Sequence, residues 1–362
     1  MNIDTQLTAK QSQDIDLVKA LAIIMVLFIH ANILDCLPDV SEKSTLGIFN
    51  QIVTRILVDN AVPIFFIISG YLFFYKRGTY REKWKKRFKS LVVPYVFWCL
   101  VGFLIPFILQ CVLGLESLFT GNELKKIADF ESLDYLRMFW DLRDGAPILS
   151  TMWFLRDLII LIAMTPIIEL FSRRLKYAFP IILTIVYLFL PFGLPGISST
   201  SLWWFGIGCW FALEGGNLFS ILDKLKIGYV GVVWGFAFVF AVFSYRYEFG
   251  YECVHSLFMI IHFVGIYKLT TIVPMRVGKS LRLLMKIGAA SFFIYAFHEP
   301  WMGYIMKLMF KMFNPTGLSL YIAPFFFVSL ALSYSYAVFV ILHRIAPGFL
   351  NLITGSRIDI KK

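Results

Sequence analysis

Apolar runs of about 17 to 25 residues recur along the whole chain, each long enough to cross roughly 30 Å of hydrocarbon as a helix. They divide it into about ten expected spans, near 17–35, 50–74, 91–113, 151–171, 178–194, 201–213, 227–245, 253–273, 287–310 and 320–343. A porin-type barrel is excluded, because stretches such as Ile181 to Leu190 are unbroken where barrel strands alternate. The sixth run is short. Gly206 and Gly208 within it, and Glu214, Gly215 and Gly216 after it, predict a tilted, broken or partly re-entrant segment. The expected fold is therefore all-α: a polytopic transmembrane helical bundle in a single domain over 1–362.

Composition agrees with the pattern. Of 362 residues, 59% are hydrophobic and 16% charged, far from the balance of a soluble domain. The net charge of +11 raises the question of nucleic acid, and the positions of the basic residues answer it. With both termini cytoplasmic, about two thirds of the Lys and Arg fall on the cytoplasmic side, in the N-terminal segment, the 75–90 loop, Arg173 to Lys176, Lys224 and Lys226, Arg276 to Lys286, and the tail from Arg344. Most loop acids, among them Glu116, Glu123, Asp129, Glu131, Asp134, Asp141 and Asp144, fall outside. No nucleic-acid partner is needed. The segment near 115–150 reads as an external cap or small helical hairpin. The five cysteines are scattered singly and signal neither a disulfide framework nor a zinc site. Met1 to Asp16 has no basic n-region, so no cleavable leader is expected. No internal repeat or inverted symmetry is apparent.

Ionisable residues inside a bilayer are costly and tend to mark function. The first span carries Asp16 and Lys19, then ten apolar residues, then His30. At 100° and 1.5 Å per residue, Lys19 and His30 are about 20° apart in azimuth and about 16 Å apart in depth. Asp16 lies about 40° from His30 by the same arithmetic. Two readings are open: interfacial charges with a hydrogen-bonded core histidine, or a charged mouth below a polar cavity that holds the imidazole. Ser69-Gly70 fits helix packing. Arg156 and Asp157 diverge by 100° as helix neighbours, so each is expected to meet a partner on another helix, for ion pairing or for substrate positioning. His298 and Glu299 reach a depth comparable to His30, and Pro300 follows to loosen the backbone. His262 reads as packing. No spacing such as H-E-x-x-H occurs, so no metal is predicted. Lys76 to Lys89 holds eight basic residues in fourteen, as a positive-inside loop touching anionic membrane lipid would.

Several of these residues also carry a resemblance. Lys19, ten residues and His30 resemble the R/K-x10-H signature of integral-membrane acyltransferase family 3, and Asp16-Leu-Val-Lys-Ala-Leu-Ala-Ile resembles its D-x-x-R-x-x-A-I opening. Val62-Pro-Ile-Phe-Phe-Ile-Ile-Ser69-Gly70-Tyr-Leu looks like the family's F-F-x-x-S-G segment. Trp153-Phe-Leu-Arg156-Asp157 and Phe293-Ile-Tyr-Ala-Phe-His298-Glu299-Pro300 are further matches. The resemblance implies an acyltransferase of the fucose-4-O-acetylase-like, surface-polysaccharide type in the bacterial plasma membrane. It would move an acyl group, usually acetyl, from cytoplasmic acetyl-CoA to a carbohydrate hydroxyl. His30 would then be the general base or carry a transient acyl group, with Asp16 orienting the cavity mouth and Lys19 meeting a donor phosphate or helping to keep His30 neutral. Trp153, Arg156, His298 and Glu299 would line the substrate cavity, with Arg156 a donor to the developing oxyanion. Ser69 and the basic loop would serve the donor. The family's R-x-x-R pattern is replaced here by Lys86-x-x-Lys89 or Arg87-x-x-Ser90. A proton-coupled transporter, or a degenerate family member with a structural role, would also have many spans with buried charge. Turnover of labelled acetyl-CoA separates the three. The acceptor glycan and the oligomeric state are not written in the sequence.

Overall fold

In a computed structural model, residues 7–76, 78–112, 126–142, 145–272, 278–299 and 301–356 are described. Arg77, Glu116, Glu123, Asp144, Arg276, Pro300 and the last basic residues lie outside them. The helices are α1 (Ala9–Ile29), α2 (Thr45–Gln51), α3 (Ala61–Tyr75), α4 (Tyr80–Arg87), α5 (Val93–Phe107), α6 (Asp134–Arg137), α7 (Trp153–Ala163), α8 (Thr165–Leu175) and α9 (Ala178–Phe189). They continue as α10 (Ser199–Trp210), α11 (Leu218–Lys224), α12 (Ile227–Tyr247), α13 (Tyr251–Thr271), α14 (Lys279–Ala289), α15 (Ser291–Phe297), α16 (Trp301–Phe313), α17 (Leu318–Ile345) and α18 (Pro347–Thr354). Gly193–Leu194 and Ile197–Ser198 pair as a two-residue antiparallel ribbon between α9 and α10.

Six helical stretches among the described residues are long and apolar enough to cross a membrane: Ala9–Cys36, Thr45–Tyr75, Tyr80–Val112, Ile227–Tyr247, Tyr251–Thr271 and Leu318–Ile345. The sixth expected span is broken, as its glycines predict: Ser199–Gly215 and Leu218–Lys224 meet at 90°. Other expected spans are assembled from shorter pieces. The 151–171 segment is α7 and α8, separated at Met164 where Pro166 enters the first turn of α8 and Thr165 Oγ1 donates to the Ile162 carbonyl at 2.7 Å. The 287–310 segment is the end of α14, then α15 and the start of α16. The described part of the 115–150 segment holds only a single 3-10 turn, Ile127–Asp129, and the one-turn α6, rather than a helical hairpin.

α1 begins eight residues before the run that predicts it, because Thr8 and Gln11 close a capping box. Gln11 and Asp14 in the polar first turns are buried. Lys10 pairs with Asp14 at 2.7 Å, and Gln11 donates to Ser220 and Asp223 on α11. The outer faces of α12 and α17 are apolar instead, with Val232, Phe236, Val239 and Phe325 exposed as lipid-facing residues are.

At the centre, α3 and α10 touch backbone to backbone. A Cβ on Gly70 would stand 2.2 Å from the Phe205 carbonyl oxygen, and one on Gly208 2.2 Å from that of Ile67. Small residues let membrane helices approach in this way. The contact explains Ser69-Gly70 as packing, with Ser69 half-buried beside it. We expect Gly70→Ala or Gly208→Ala to destabilise the purified protein by about 1–3 kcal/mol, seen as a lower melting temperature in detergent. Gly228→Ala, where a Cβ meets nothing within 4 Å, is the control and should leave melting unchanged. Equal melting of all three variants would show that the helices part easily.

Candidate active site

His30 stands at the end of α1, where its backbone N–H still bonds Val26 and Phe28. The chain turns there because Asn32 caps the 3-10 turn Ile33–Cys36, its Oδ1 accepting from Leu34 N at 3.2 Å. Asn50 of α2 clamps this turn. It donates to Asn32 Oδ1 at 2.5 Å and accepts from Ile33 N at 3.3 Å.

Across from His30, the short α15 ends in His298 and Glu299. His30 Nδ1 lies 2.9 Å from Glu299 Oε1, and the other carboxylate oxygen accepts from Ser150 Oγ, also at 2.9 Å. The two side chains keep 24% and 21% of their surface open. A carboxylate on Nδ1 fixes the tautomer, leaves Nε2 as the working nitrogen and stabilises the imidazolium formed when that nitrogen takes a proton.

His298 packs edge to face on His30, with ring centroids 4.9 Å apart. Its Nδ1 lies 3.0 Å from the Ile294 carbonyl, which can only accept, so the proton sits on Nδ1. Nε2 is thus a buried lone pair without a hydrogen-bond partner. Tyr334 of α17 donates to the His298 carbonyl at 2.7 Å, and Tyr295 donates to the Thr151 carbonyl. α15, α17 and the 150–152 turn are thereby tied around one spot. Trp153 opens α7 three residues after Ser150, its ring 6.3 Å from that of Phe66.

Arg156 departs from expectation, whereas Asp157 also meets Ser201 of α10, a partner on another helix. They pair with each other, Nη2 to Oδ1 at 2.9 Å and Nε to Oδ1 at 3.1 Å, both side chains buried. The remaining Nη1 donates to the Gly145 carbonyl. The 100° divergence of neighbours holds at Cβ, but the four-bond Arg stem swings its planar head back past the turn. No contact joins Arg156 to His30 or Glu299, so the ion pair fastens the 145–149 segment to α7. His262 is a packing residue as expected: Trp234 donates to its Nδ1 at 2.7 Å and its Nε2 faces the Leu57 carbonyl at 2.9 Å.

Asp16 and Lys19 sit near the middle of α1, Lys19 about three turns before His30. They pair at 3.1 Å, the Asp16 side chain 58% exposed. The basic segment beyond α3 forms α4, which runs through the π-helical stretch Phe88–Val92 into α5. Tyr80 donates to Glu169 on α8, and Trp84 donates to the Ile162 carbonyl at 3.2 Å, which straps α4 to α7 and α8. Lys86 and Lys89 are exposed, and Arg87 is half-buried with no acidic partner among the described residues. Burial, followed by the charges of Lys86, Arg87 and Lys19, holds the Lys76 ammonium below the ordinary lysine range. These four cations therefore crowd one place on the basic end. Lys76 carries no motif, and only the fold joins it to Lys19.

Among the described residues no group of three His, Cys, Asp or Glu is arranged to hold a metal ion.

Comparison with known proteins points the same way as the geometry. Residues 12–338 match the acyltransferase domain of acyltransferase family 3. The chain is 25% identical over 368 residues to the succinoglycan biosynthesis protein ExoH of Rhizobium meliloti (strain 1021), covering 98% of this chain and 95% of that one. No solved structure matches. With a family match over nearly its whole length and helices built to cross a bilayer, the chain belongs to acyltransferase family 3 and is a multi-pass membrane acyltransferase.

Proposed function

We propose that the protein transfers an acyl group, acetyl by preference, from acyl-CoA to a hydroxyl of a cell-envelope carbohydrate at the bacterial plasma membrane. The observation that carries this reading is the 2.9 Å contact of His30 with Glu299. A sugar hydroxyl is a weak nucleophile at neutral pH, and its attack on a thioester needs a base to take the proton. In this reading His30 Nε2 takes it as the hydroxyl oxygen bonds to the thioester carbon. The C–S bond then breaks, and the proton passes to the departing CoA thiolate. Glu299 steadies the transient imidazolium, and Ser150 holds the carboxylate in line. The free Nε2 of His298 offers a second lone pair to orient the hydroxyl. Arg156 is not given the oxyanion, since its guanidinium is committed to Asp157 and Gly145.

The donor reading rests on the cations. Lys19, Lys76, Lys86 and Arg87 form a cluster suited to the phosphates of CoA. Lys19 and His30 are about 16 Å apart along α1, so a donor with its phosphates on the cluster sends its arm up the bundle to the imidazole. The carbohydrate acceptor is supported by the kinship with a protein of succinoglycan biosynthesis.

Two measurements test this. His30→Ala in purified protein should lose about 10²–10⁴-fold in transfer from labelled acetyl-CoA to envelope glycan, and full activity would remove His30 from the chemistry. The double substitution Lys76→Gln/Arg87→Gln should raise the KM for acetyl-CoA by about tenfold or more, with a smaller change in kcat. An unchanged KM would move the donor elsewhere.

A further inference from the structure

The end of the bundle that carries His30 also holds a cleft that plays no part in the chemistry just described. It is a cleft of about 560 Å³, open to the surface, between Lys43 and the ends of α9, α12 and α13. Its walls are the rings of Phe189, Tyr245 and Tyr251, and its rim carries Glu248 and Glu252, with Cys253 beside them.

The fold places it level with His30. Lys10 Nζ reaches the Thr270 carbonyl at 3.5 Å, which sets the N-terminal turns of α1 beside the C-terminal turns of α13. His30 is twenty residues beyond Lys10 and Gly250 is twenty before Thr270. At 1.5 Å per residue both arrive about 30 Å away at the same height.

The cleft is built rather than incidental. Lys43 donates to the Tyr245 carbonyl at 2.6 Å and lies 3.9 Å above the Tyr245 ring, Arg246 donates to the Lys43 carbonyl at 2.6 Å, and Tyr245 donates to Glu42 at 3.0 Å. These contacts fix Tyr245 in place, with Lys43 covering one face of its ring. The turn opposite is held with Glu248 at φ 57°, a left-handed conformation that glycine adopts at less cost. Yet the side chain there is a carboxylate, 79% exposed and 3.5 Å from Lys43 Nζ. Strained positions that keep a polar side chain are where a functional role is sought first.

We propose that this cleft binds the saccharide acceptor. The proposal rests on the carbohydrate reading above and gives it a place. A pyranose has one face of C–H groups and an equatorial rim of hydroxyls. The rings of Tyr251 and Phe189 suit the first, and carboxylates that accept hydrogen bonds suit the second. A cleft of this size holds a small ligand of one or two rings. A lipid tail would find few uses for Glu248 and Glu252.

The test uses the full-length protein in nanodiscs and, as probe, short oligosaccharides from partial hydrolysis of the host's envelope polysaccharide. Maleimide labelling of Cys253, resolved from the other cysteines by peptide mass spectrometry, reports occupancy without catalysis. We expect the oligosaccharides to slow labelling in the parent and equally in His30→Ala. Tyr251→Ala and Glu248→Gly should each raise the KM for oligosaccharide by about tenfold, the loss appearing in KM rather than kcat. The Glu248→Gly protein, relieved of a left-handed non-glycine residue, should melt no lower than the parent. Transfer to oligosaccharide without protection of Cys253, and with an unchanged KM in both variants, overturns the cleft and leaves the carbohydrate reading standing. Protection by added phospholipid instead of oligosaccharide overturns it in favour of a lipid groove. Neither transfer nor protection overturns both.

Discussion

The contact between His30 and Glu299 is the point on which the architecture turns. An ionisable pair near the hydrocarbon is costly unless each polar atom is matched. Here Glu299 uses both oxygens, one on His30 and one on Ser150. To bring the pair together, α1 must stop at residue 30, α15 at residue 297, and the 150–152 turn must come between them. Each stop has its own device: the Asn32–Asn50 clamp after α1, and Tyr334 and Tyr295 holding the backbone around α15. The tight α3–α10 pairing and the Arg156–Asp157 anchor serve the same end, because they fix the helices and the segment from which Ser150 is presented.

A second constraint is separation. Cations gather near the middle of α1, around Lys19, and the imidazole stands at its end, about 16 Å away. A reaction between a polyanionic donor and a neutral, bulky acceptor is eased when the two enter from opposite ends, since neither has to cross the other's binding site. In this account the last three turns of α1 separate the donor's charges from the base. The exposed apolar faces of α12 and α17 turn outward as lipid-facing residues do.

Much of this is legible in the sequence, and the remainder fails for identifiable reasons. Long apolar runs report spans directly because hydrocarbon thickness fixes their length. The break near Gly215 and Gly216 is visible for the same reason that glycine breaks any helix. The 151–171 run is less transparent, since its composition is continuous and only Pro166 marks the joint between α7 and α8. His30 stands out as a lone imidazole in an apolar run. Its bond to Glu299 does not, because the two come from opposite ends of the chain and periodicity says nothing of tertiary pairing. The same holds for Lys76, whose neighbours Lys19, Lys86 and Arg87 converge only on folding. Arg156 and Asp157 show the opposite error. Azimuth placed them apart, whereas a long flexible stem let them meet.

The account stands or falls on whether His30 and Glu299 act as one unit, and a double-mutant cycle measures that directly. Glu299→Gln should lower kcat for acyl transfer by about 10²-fold in the parent, and should lower it little further in a His30→Ala background, because the partner it orients is already gone. A Glu299→Gln enzyme as fast as the parent, or losses that multiply in the double variant, would contradict the account.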